Sequence, residues 1–482
     1  MREKFYITTA IDYVNASPHL GHALEKVQAD AIARYKRLLN KEVYFLTGVD
    51  EHGIKIVRSA QGAGKNVENF VDENSAKFRE LTKKLNISND DFIRTSDKNR
   101  HWPGARLLWK KLVEVGDIYK GKYSGYYCVG CEAYIKESDL INGKCPYHYA
   151  EPEKIEEENY FFRLSRYADE IKKRIESGEL KILPESGKNE ILAVIRKGIE
   201  DISFSRPVEK LAGWGVPVPD NDSQLMYVWC DALANYVSAL GYGSGDESNF
   251  QKFWPADLHV IGKDILRFHA LIWPAMLLSA KLPLPKTLFV HGFIISDGKR
   301  MSKTLGNVID PFDLIERYGV DAARYYLLRE ITPFGDGDIT EKKFKEAYNA
   351  NLANGLGNLV ARIMKMSEQY LLRPMTDDQR LTINDKNIKK QYSDLVDSFE
   401  LSKVMDLIWQ KISEMDLYIQ KIQPFKLVKE DEEKAKKILR ELVSGLWDIA
   451  LMLKPFLPKT SEKIIIAIQS NKMPEALFPR IN

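Results

Sequence analysis

Three clusters in this sequence have residue types and spacings that could do chemistry. Cys128-Val-Gly-Cys131 and Cys145-Pro-Tyr-His148 form two hooks with 13 residues between them. Three thiols and one imidazole at that spacing are the ligand set of a closed tetrahedral zinc site. No ligand position is left open, so the site reads as structural rather than catalytic. The competing reading is three buried thiols and a surface histidine, a pattern that scarce cysteines rarely make by chance; Cys230, the fourth, reads as a core thiol. In Pro18-His19-Leu-Gly-His22, two imidazoles flank Gly21 at a helix start. Unpaired N–H groups and the positive dipole end suit a phosphate there, and Gly21 allows close approach. A capped helix with two surface histidines fits the same five residues equally well. Finally, Gly298 and Gly306 bracket a basic loop carrying Lys299, Arg300 and Lys303, which by itself reads as a solvated turn and gains interest only from the histidine pair far upstream.

These clusters must be held by elements. Phe5 to Ile11 and Val43 to Val49 read as buried strands. Between them Leu24, Val27, Ala31, Tyr35 and Leu38 recur at helical spacing, with Ser17 as N-cap and Pro18 as first helical residue. Strand, turn, helix, strand is half of a nucleotide-binding α/β fold, and Asp50-Glu51-His52-Gly53 falls at the strand end where ligands bind in such sheets. Val67–Leu85 reads as a helix, Asp91–Thr95 as a strand, and Leu107, Leu108 and Val113 mark another helix. At Tyr123 glycine and tyrosine replace this rhythm. It returns near Met226 with Tyr227-Val228-Trp229, aromatic and β-branched, then a strand over Asp257–Gly262, a helix through Leu266, Leu271 and Met276, and a strand-like run from Thr287 to Ile295. Beyond residue 341 strand signals nearly vanish. Leu352, Leu356, Leu359, Ile363 and Met366 form one helical stripe, and further helices are expected around 389–422 and 431–454.

The expected fold is α/β: a Rossmann-like parallel-sheet domain split by a zinc-knuckle insertion and followed by an all-α bundle. The expected boundaries are 1–115 and 226–285 for the two halves, 116–225 for the insertion, 286–345 for the basic loop and its neighbourhood, and 346–482 for the bundle. The 71 basic and 68 acidic residues leave a net charge of +3, which does not announce a nucleic-acid binder. No signal peptide or membrane-crossing run is evident, and four cysteines argue against a disulfide framework. The expectation is a cytoplasmic protein.

At this point the chain resembles the class I aminoacyl-tRNA synthetases. His19-Leu-Gly-His22 matches their HIGH motif, and Arg300-Met-Ser-Lys303-Thr304 matches KMSKS with two substitutions. Within that class it is most similar to the methionyl-tRNA synthetase family, on Thr9-Ala-Ile-Asp-Tyr13, Val228-Trp229-Cys-Asp-Ala232, Ile261-Gly-Lys-Asp264 through Phe268-His269, and the CxxC…CxxH insertion. The resemblance implies ATP-dependent activation of L-methionine and transfer to methionine tRNA. It implies one structural zinc on Cys128, Cys131, Cys145 and His148, Mg2+ with ATP, no membrane, and, without a C-terminal dimerising extension, a monomer.

The resemblance also implies site residues. His19, His22 and Lys303 are the catalytic candidates, and Gly21, Gly262 and Asp264 join them in binding ATP. The methionine pocket maps onto Ile11, Tyr13, Asp50, Trp229, Ala232, Tyr236, Ile265 and His269, with Asp50 on the α-ammonium. Asn354, Asn358 and Arg362 match anticodon readers, helped by Phe425. Their spacing by four puts the trio on one helix face, opposite the apolar stripe. Leu233, Arg300 and Phe425 depart from the family pattern. Two rivals are a nucleotidyltransferase acting on another acid, against which the helical bundle speaks, and a non-catalytic scaffold, against which the intact His19, His22 and Lys303 speak.

Overall fold

The computed structural model describes residues 2–135, 137–146, 149–301, 309–371, 383 and 385–481. They divide into two compact units. The first comprises Met1–Pro18, Leu39–Lys83 and Ser88–His291; the second comprises His19–Leu38, Lys84–Ile87 and Gly292–Asn482.

The first unit is built on six parallel strands: β1 (Lys4–Tyr13), β2 (Glu42–Asp50), β3 (Asp91–Arg94), β4 (Lys181–Leu183), β5 (Leu258–Gly262) and β6 (Thr287–His291), in the order β3-β2-β1-β5-β6-β4. Six consecutive residues of β1, Phe5 to Ala10, are buried, as expected of a parallel strand covered on both faces. Strand order runs outward in opposite directions from the β1–β5 pair, so the ligand crevice of this topology opens at their carboxyl ends. Those ends are Tyr13 and Gly262, with Asp50 ending the neighbouring β2. Between Thr8 and Ile11 the β1–β2 register shifts. Such an irregularity re-aims the side chains beyond it, here Ile11 and Tyr13.

The edge strand β4 comes from within 116–225. The same span contributes a four-stranded antiparallel sheet with order 133–135, 118–128, 153–162 and 202–203. Trp109, Phe162, Phe204, Tyr236 and Trp273 belong to one buried core that runs through this unit.

In the second unit, helix α1 (Leu20–Leu38) packs against the π-turn Tyr326–Glu330 and meets helix Lys386–Asp397. The Arg324 guanidinium, fully buried, reaches Asp30 Oδ2 at 2.7 Å and donates to the Phe456, Pro455 and Leu85 carbonyls. A buried charge so completely satisfied is costly to break, by about 3–5 kcal/mol when one partner is removed. Lys36 adds an ion pair to Asp397 at 2.6 Å, and Tyr35 packs edge-on to Tyr392.

Three sequence expectations are corrected, and one further element, Val228–Leu233, differs from what its composition favours. Helix α1 starts at Leu20, so Ser17 is not its cap and Pro18 is not its first residue. Val228–Leu233 is a helix that directly follows strand Asn221–Met226, although its first residues favour strands; tertiary packing overrides propensity where Asp231 is pinned from two sides, as described below. Thr287–Ile295 breaks into β6 and a separate strand, Ile294–Ser296, of another sheet. The helix through Leu352 is a π-helix over Tyr348–Gly357 and an α-helix over Asn358–Tyr370. The Trp409 indole N–H takes the Asn351 carbonyl at 3.2 Å, drawing it from the regular ladder.

Candidate active site and metal knuckle

In the first unit, the residues expected to take an amino-acid side chain form one connected group. Ile11, Tyr13, Trp229, Ile265 and Phe268 pack, half-buried, on the core that contains Tyr236. The Tyr236 hydroxyl meets His269 Nε2 at 2.7 Å, and His269 Nδ1 meets the Ile265 carbonyl at 3.0 Å. A carbonyl only accepts, so Nδ1 carries the proton and Nε2 accepts from Tyr236. Burial lowers the His269 pKa to about 4, against a smaller upward pull from the Ile265 carbonyl, so the ring is neutral. Its local consequence is structural as well. The ring occupies the carbonyl four residues back, and Phe268–Ile272 widens into a π-turn. Trp229 stacks on Phe268 with centroids 3.7 Å apart and 6° between planes, and its edge approaches His269. Neutral imidazole, phenol and stacked rings make a lining suited to an apolar, polarisable chain.

Asp50 is buried at the end of β2, where Oδ1 accepts from the His52 N–H at 3.2 Å and from Thr95 Oγ1 at 3.4 Å. Burial pushes its carboxyl well up, the like charge of Asp231 pushes further, and the His52 amide opposes them. Such a carboxylate gains most from a cationic partner. Ala232 is buried one residue beyond Asp231. Gly262 ends β5; a side chain there would lie 2.6 Å from Asp264 Oδ1, so the exposed Asp264 carboxylate folds back over the strand end.

In the second unit, His19 and His22 cap each other. The His19 N–H donates to His22 Nδ1 at 3.0 Å, and the Gly21 N–H donates to His19 Nδ1 at 3.1 Å. This is a capping box made with imidazoles. The rings stack at 3.8 Å. Because both Nδ1 atoms accept, the proton of each neutral ring sits on Nε2, and the amide geometry fixes which edge is the donor. The Gly21 Cβ position would lie 2.9 Å from His19 Cε1, so the box needs glycine there. Lys303 lies outside the described residues.

The three thiols Cys128, Cys131 and Cys145 come together with Sγ atoms within 4.8 Å of one another, and Cys131 and Cys145 are 3.5 Å apart. Hydrogen bonding from Cys128 and burial push the Cys131 thiol far up, so thiolates can share this space only with a cation between them. The donor set therefore fits a soft divalent metal. His148 lies outside the described residues. Beside Cys131, Glu132 was not anticipated from the sequence. Its buried carboxylate accepts from the Tyr13 hydroxyl at 2.7 Å, from the Lys55 N–H at 2.6 Å and from the Tyr127 hydroxyl. Gly53, at φ +111°, makes room, since a side chain there would strike the Tyr13 hydroxyl and Glu132. The knuckle is thus wired to a pocket residue. Also unanticipated are Phe268 as stacking partner and the Asp231, His52 and His101 cluster. Only His52, two places from Asp50, carried a positional hint.

On the helical face, Asn354 and Asn358 are exposed and Arg362 is half-buried. Arg362 is ion-paired with Asp416, which also accepts from Gln420 at 2.6 Å. Phe425, 46% exposed, follows Pro424 at a helix start.

A family model described as tRNA synthetases class I (M) matches residues 5–154 and 137–364. The chain is 44% identical to a methionine–tRNA ligase of Thermotoga maritima, over 98% of this chain and 76% of the relative. It is 42% identical to one of Brucella suis, over 98% and 93%. A solved structure titled Mycobacterium tuberculosis methionyl-tRNA synthetase in complex with methionyl-adenylate superposes with a TM-score of 0.89 at 36% identity, covering 100% of this chain and 99% of that one. The split parallel sheet, capped histidine pair and thiol knuckle thus fall in the class I tRNA synthetases. Within that class, the chain belongs to the methionine–tRNA ligase family. No helix among the described residues is long and apolar enough to cross a membrane.

Proposed function

We propose that the chain joins L-methionine to ATP, giving methionyl-adenylate and pyrophosphate, and then passes the methionyl group to the terminal adenosine of methionine tRNA. The observation that carries this reading is identity of 42–44% to methionine–tRNA ligases over nearly the whole chain. In the first step a methionine carboxylate oxygen bonds to the α-phosphorus as the bond to the bridging oxygen of pyrophosphate breaks. In the second, a ribose hydroxyl of the tRNA attacks the activated carbonyl and AMP leaves. The substrate carboxylate is the nucleophile, so the protein supplies position and charge.

In this reading Asp50 holds the ammonium. The neutral Tyr236–His269 pair, with Ile11, Tyr13, Trp229, Ala232 and Ile265, takes the thioether chain. A positively charged imidazole would repay poorly an uncharged sulfur, and the low pKa of His269 keeps the ring neutral at neutral pH. Gly262 and Asp264 take the nucleoside, Asp264 accepting from ribose hydroxyls. Gly21, His19 and His22 take phosphate oxygens at the helix start, each Nε2–H donating, and Lys303 follows the charge of the leaving pyrophosphate. Mg2+ enters with ATP as its counter-ion. Cys128, Cys131, Cys145 and His148 hold one structural zinc, which fixes the knuckle and its Glu132. Asn354, Asn358, Arg362 and Phe425 read the anticodon. Methionine-dependent pyrophosphate exchange tests the whole; its absence, or equal exchange with another amino acid, overturns the assignment. Metal analysis of chelator-free, reduced protein tests the knuckle, with one zinc per chain expected.

A further inference from the structure

Asp231 has no part in the reading above, yet its carboxylate is 1% exposed and lies between Trp229 and Ala232 in sequence. Two imidazoles converge on it. His52 Nδ1 is 2.5 Å from Oδ2, and His101 Nε2 is 2.7 Å from Oδ1. His101 is anchored in turn by Ser238 Oγ, 2.9 Å from its Nδ1. Burial alone would raise the Asp231 carboxyl, but the two imidazoles outweigh it and hold it at about 2, so the group is a permanent charge. Removing a charge from water is expensive, and a packed apolar side chain would hold a short helix at no such cost.

The connection to Asp50 gives that charge a use. His52 is tied through its ring to Asp231 and through its backbone N–H to Asp50 Oδ1. A carboxylate that must face an ammonium group needs a fixed orientation, and this N–H guides it together with Thr95 Oγ1. Asp231 also acts on Asp50 as a like charge, which a cationic ligand would relieve.

We infer that Asp231, with His52 and His101, is a positioning residue for the ammonium site: it holds His52 where the His52 backbone N–H orients Asp50, it fixes the helix Val228–Leu233 that presents Trp229 and Ala232, and it adds negative charge behind Asp50. This rests on the reading of Asp50 as the ammonium carboxylate. The substrate feature sensed is the α-ammonium, not the thioether.

The test uses the full chain in pyrophosphate exchange. Asp231→Asn should raise the methionine KM about ten- to hundredfold, the range lost when the outer partner of a liganding group is removed, while the ATP KM stays unchanged. The second readout compares methionine with 4-(methylthio)butanoate, which keeps the thioether and carboxylate but lacks the ammonium. Preference for methionine over this inhibitor should shrink by the same factor, because binding of the deaminated acid does not use Asp50. Should Asp231→Asn fail to fold, His52→Ala and His52→Asn carry the test. The amide of His52→Asn can donate from near the Nδ1 position, so it should restore most of the preference lost in His52→Ala. A folded variant that raises both KM values alike, or keeps wild-type preference for the ammonium, overturns the inference. A wild-type chain without methionine-dependent exchange overturns the underlying reading of Asp50 instead.

Discussion

The Tyr236–His269 pocket and the Asn354–Asn358 face present their polar groups in opposite ways. In the pocket, the Tyr236 hydroxyl, both His269 nitrogens and the Asp50 carboxylate already have partners within the protein. On the face, both asparagine amides are exposed, and Arg362 is held by a half-buried carboxylate, Asp416. The difference follows from what each region is proposed to bind. A small apolar side chain offers few hydrogen bonds, so its site gains selectivity from rings locked in advance. An unstacked base offers its own donors and acceptors, and a group already satisfied inside the protein could not read them. The Arg362–Asp416 pair sits between the two cases, an exchangeable partner where the pocket has fixed ones.

Four experiments break or sharpen that contrast. The largest effect is expected where neither region acts. Lys303→Ala should lower kcat for pyrophosphate exchange by about two to three orders of magnitude, with the methionine KM nearly unchanged, because the charge is needed as the phosphates separate. An unchanged kcat would sink the assignment of the basic loop. Next, Phe425→Ala should weaken tRNA charging by about ten- to a hundredfold and leave exchange untouched, whereas Phe425→Trp should be near neutral. If exchange falls as far as charging, the face is not a separate reader.

Smaller is the effect expected for Tyr236→Phe. It removes one hydroxyl and leaves His269 Nε2 without that donor, so the methionine KM should rise about three- to tenfold while charging falls only through that KM. Equal loss with saturating methionine would show that the hydroxyl does more than hold the ring. The mildest is a pH effect. The His269 pKa is lowered to about 4 by burial, below the ordinary 6.5 that the ring has when unfolded. Between those values the unfolded chain binds more protons, so this group's stabilisation is complete above pH 6.5 and is lost as pH falls toward 4. His259, lowered in the same direction by burial and by His269, adds to it. Hydrogen exchange at pH 5 against pH 7 should therefore loosen β5 and Phe268–Ile272 before helix Asn358–Tyr370. Equal loosening would count against a neutral buried pair.

Much of the candidate site was legible because it is local. The cysteine hooks, the paired histidines and the trio on one helix face are defined by spacings of three or four residues, and spacing survives folding unchanged. Asp231, His52 and His101 show the limit. They lie 49 to 179 residues apart in sequence, and nothing near any of them announces a buried charge with two imidazole partners. Glu132 is similar: beside Cys131 it reads as one more surface acid, and only folding delivers it to Tyr13.

By itself the sequence determined the strand and helix rhythm of the α/β unit, the helical character beyond residue 341 and the chemical types available, since periodicity and residue chemistry are properties of the chain. Tertiary structure alone decided the rest. The His19–His22 box starts α1 at Leu20 because imidazoles can satisfy the first amides that Ser17 was expected to cap. Val228–Leu233 became a helix, against its β-branched and aromatic start, where Asp231 is anchored by partners from two distant segments. The π-turns at His269 and Leu352 arose where an imidazole or an indole claimed a backbone carbonyl. At the two π-turns a side chain competed for a carbonyl that local pattern assigns to the backbone ladder, and at the other two places a side chain supplied or took a partner that only the fold brings within hydrogen-bonding distance.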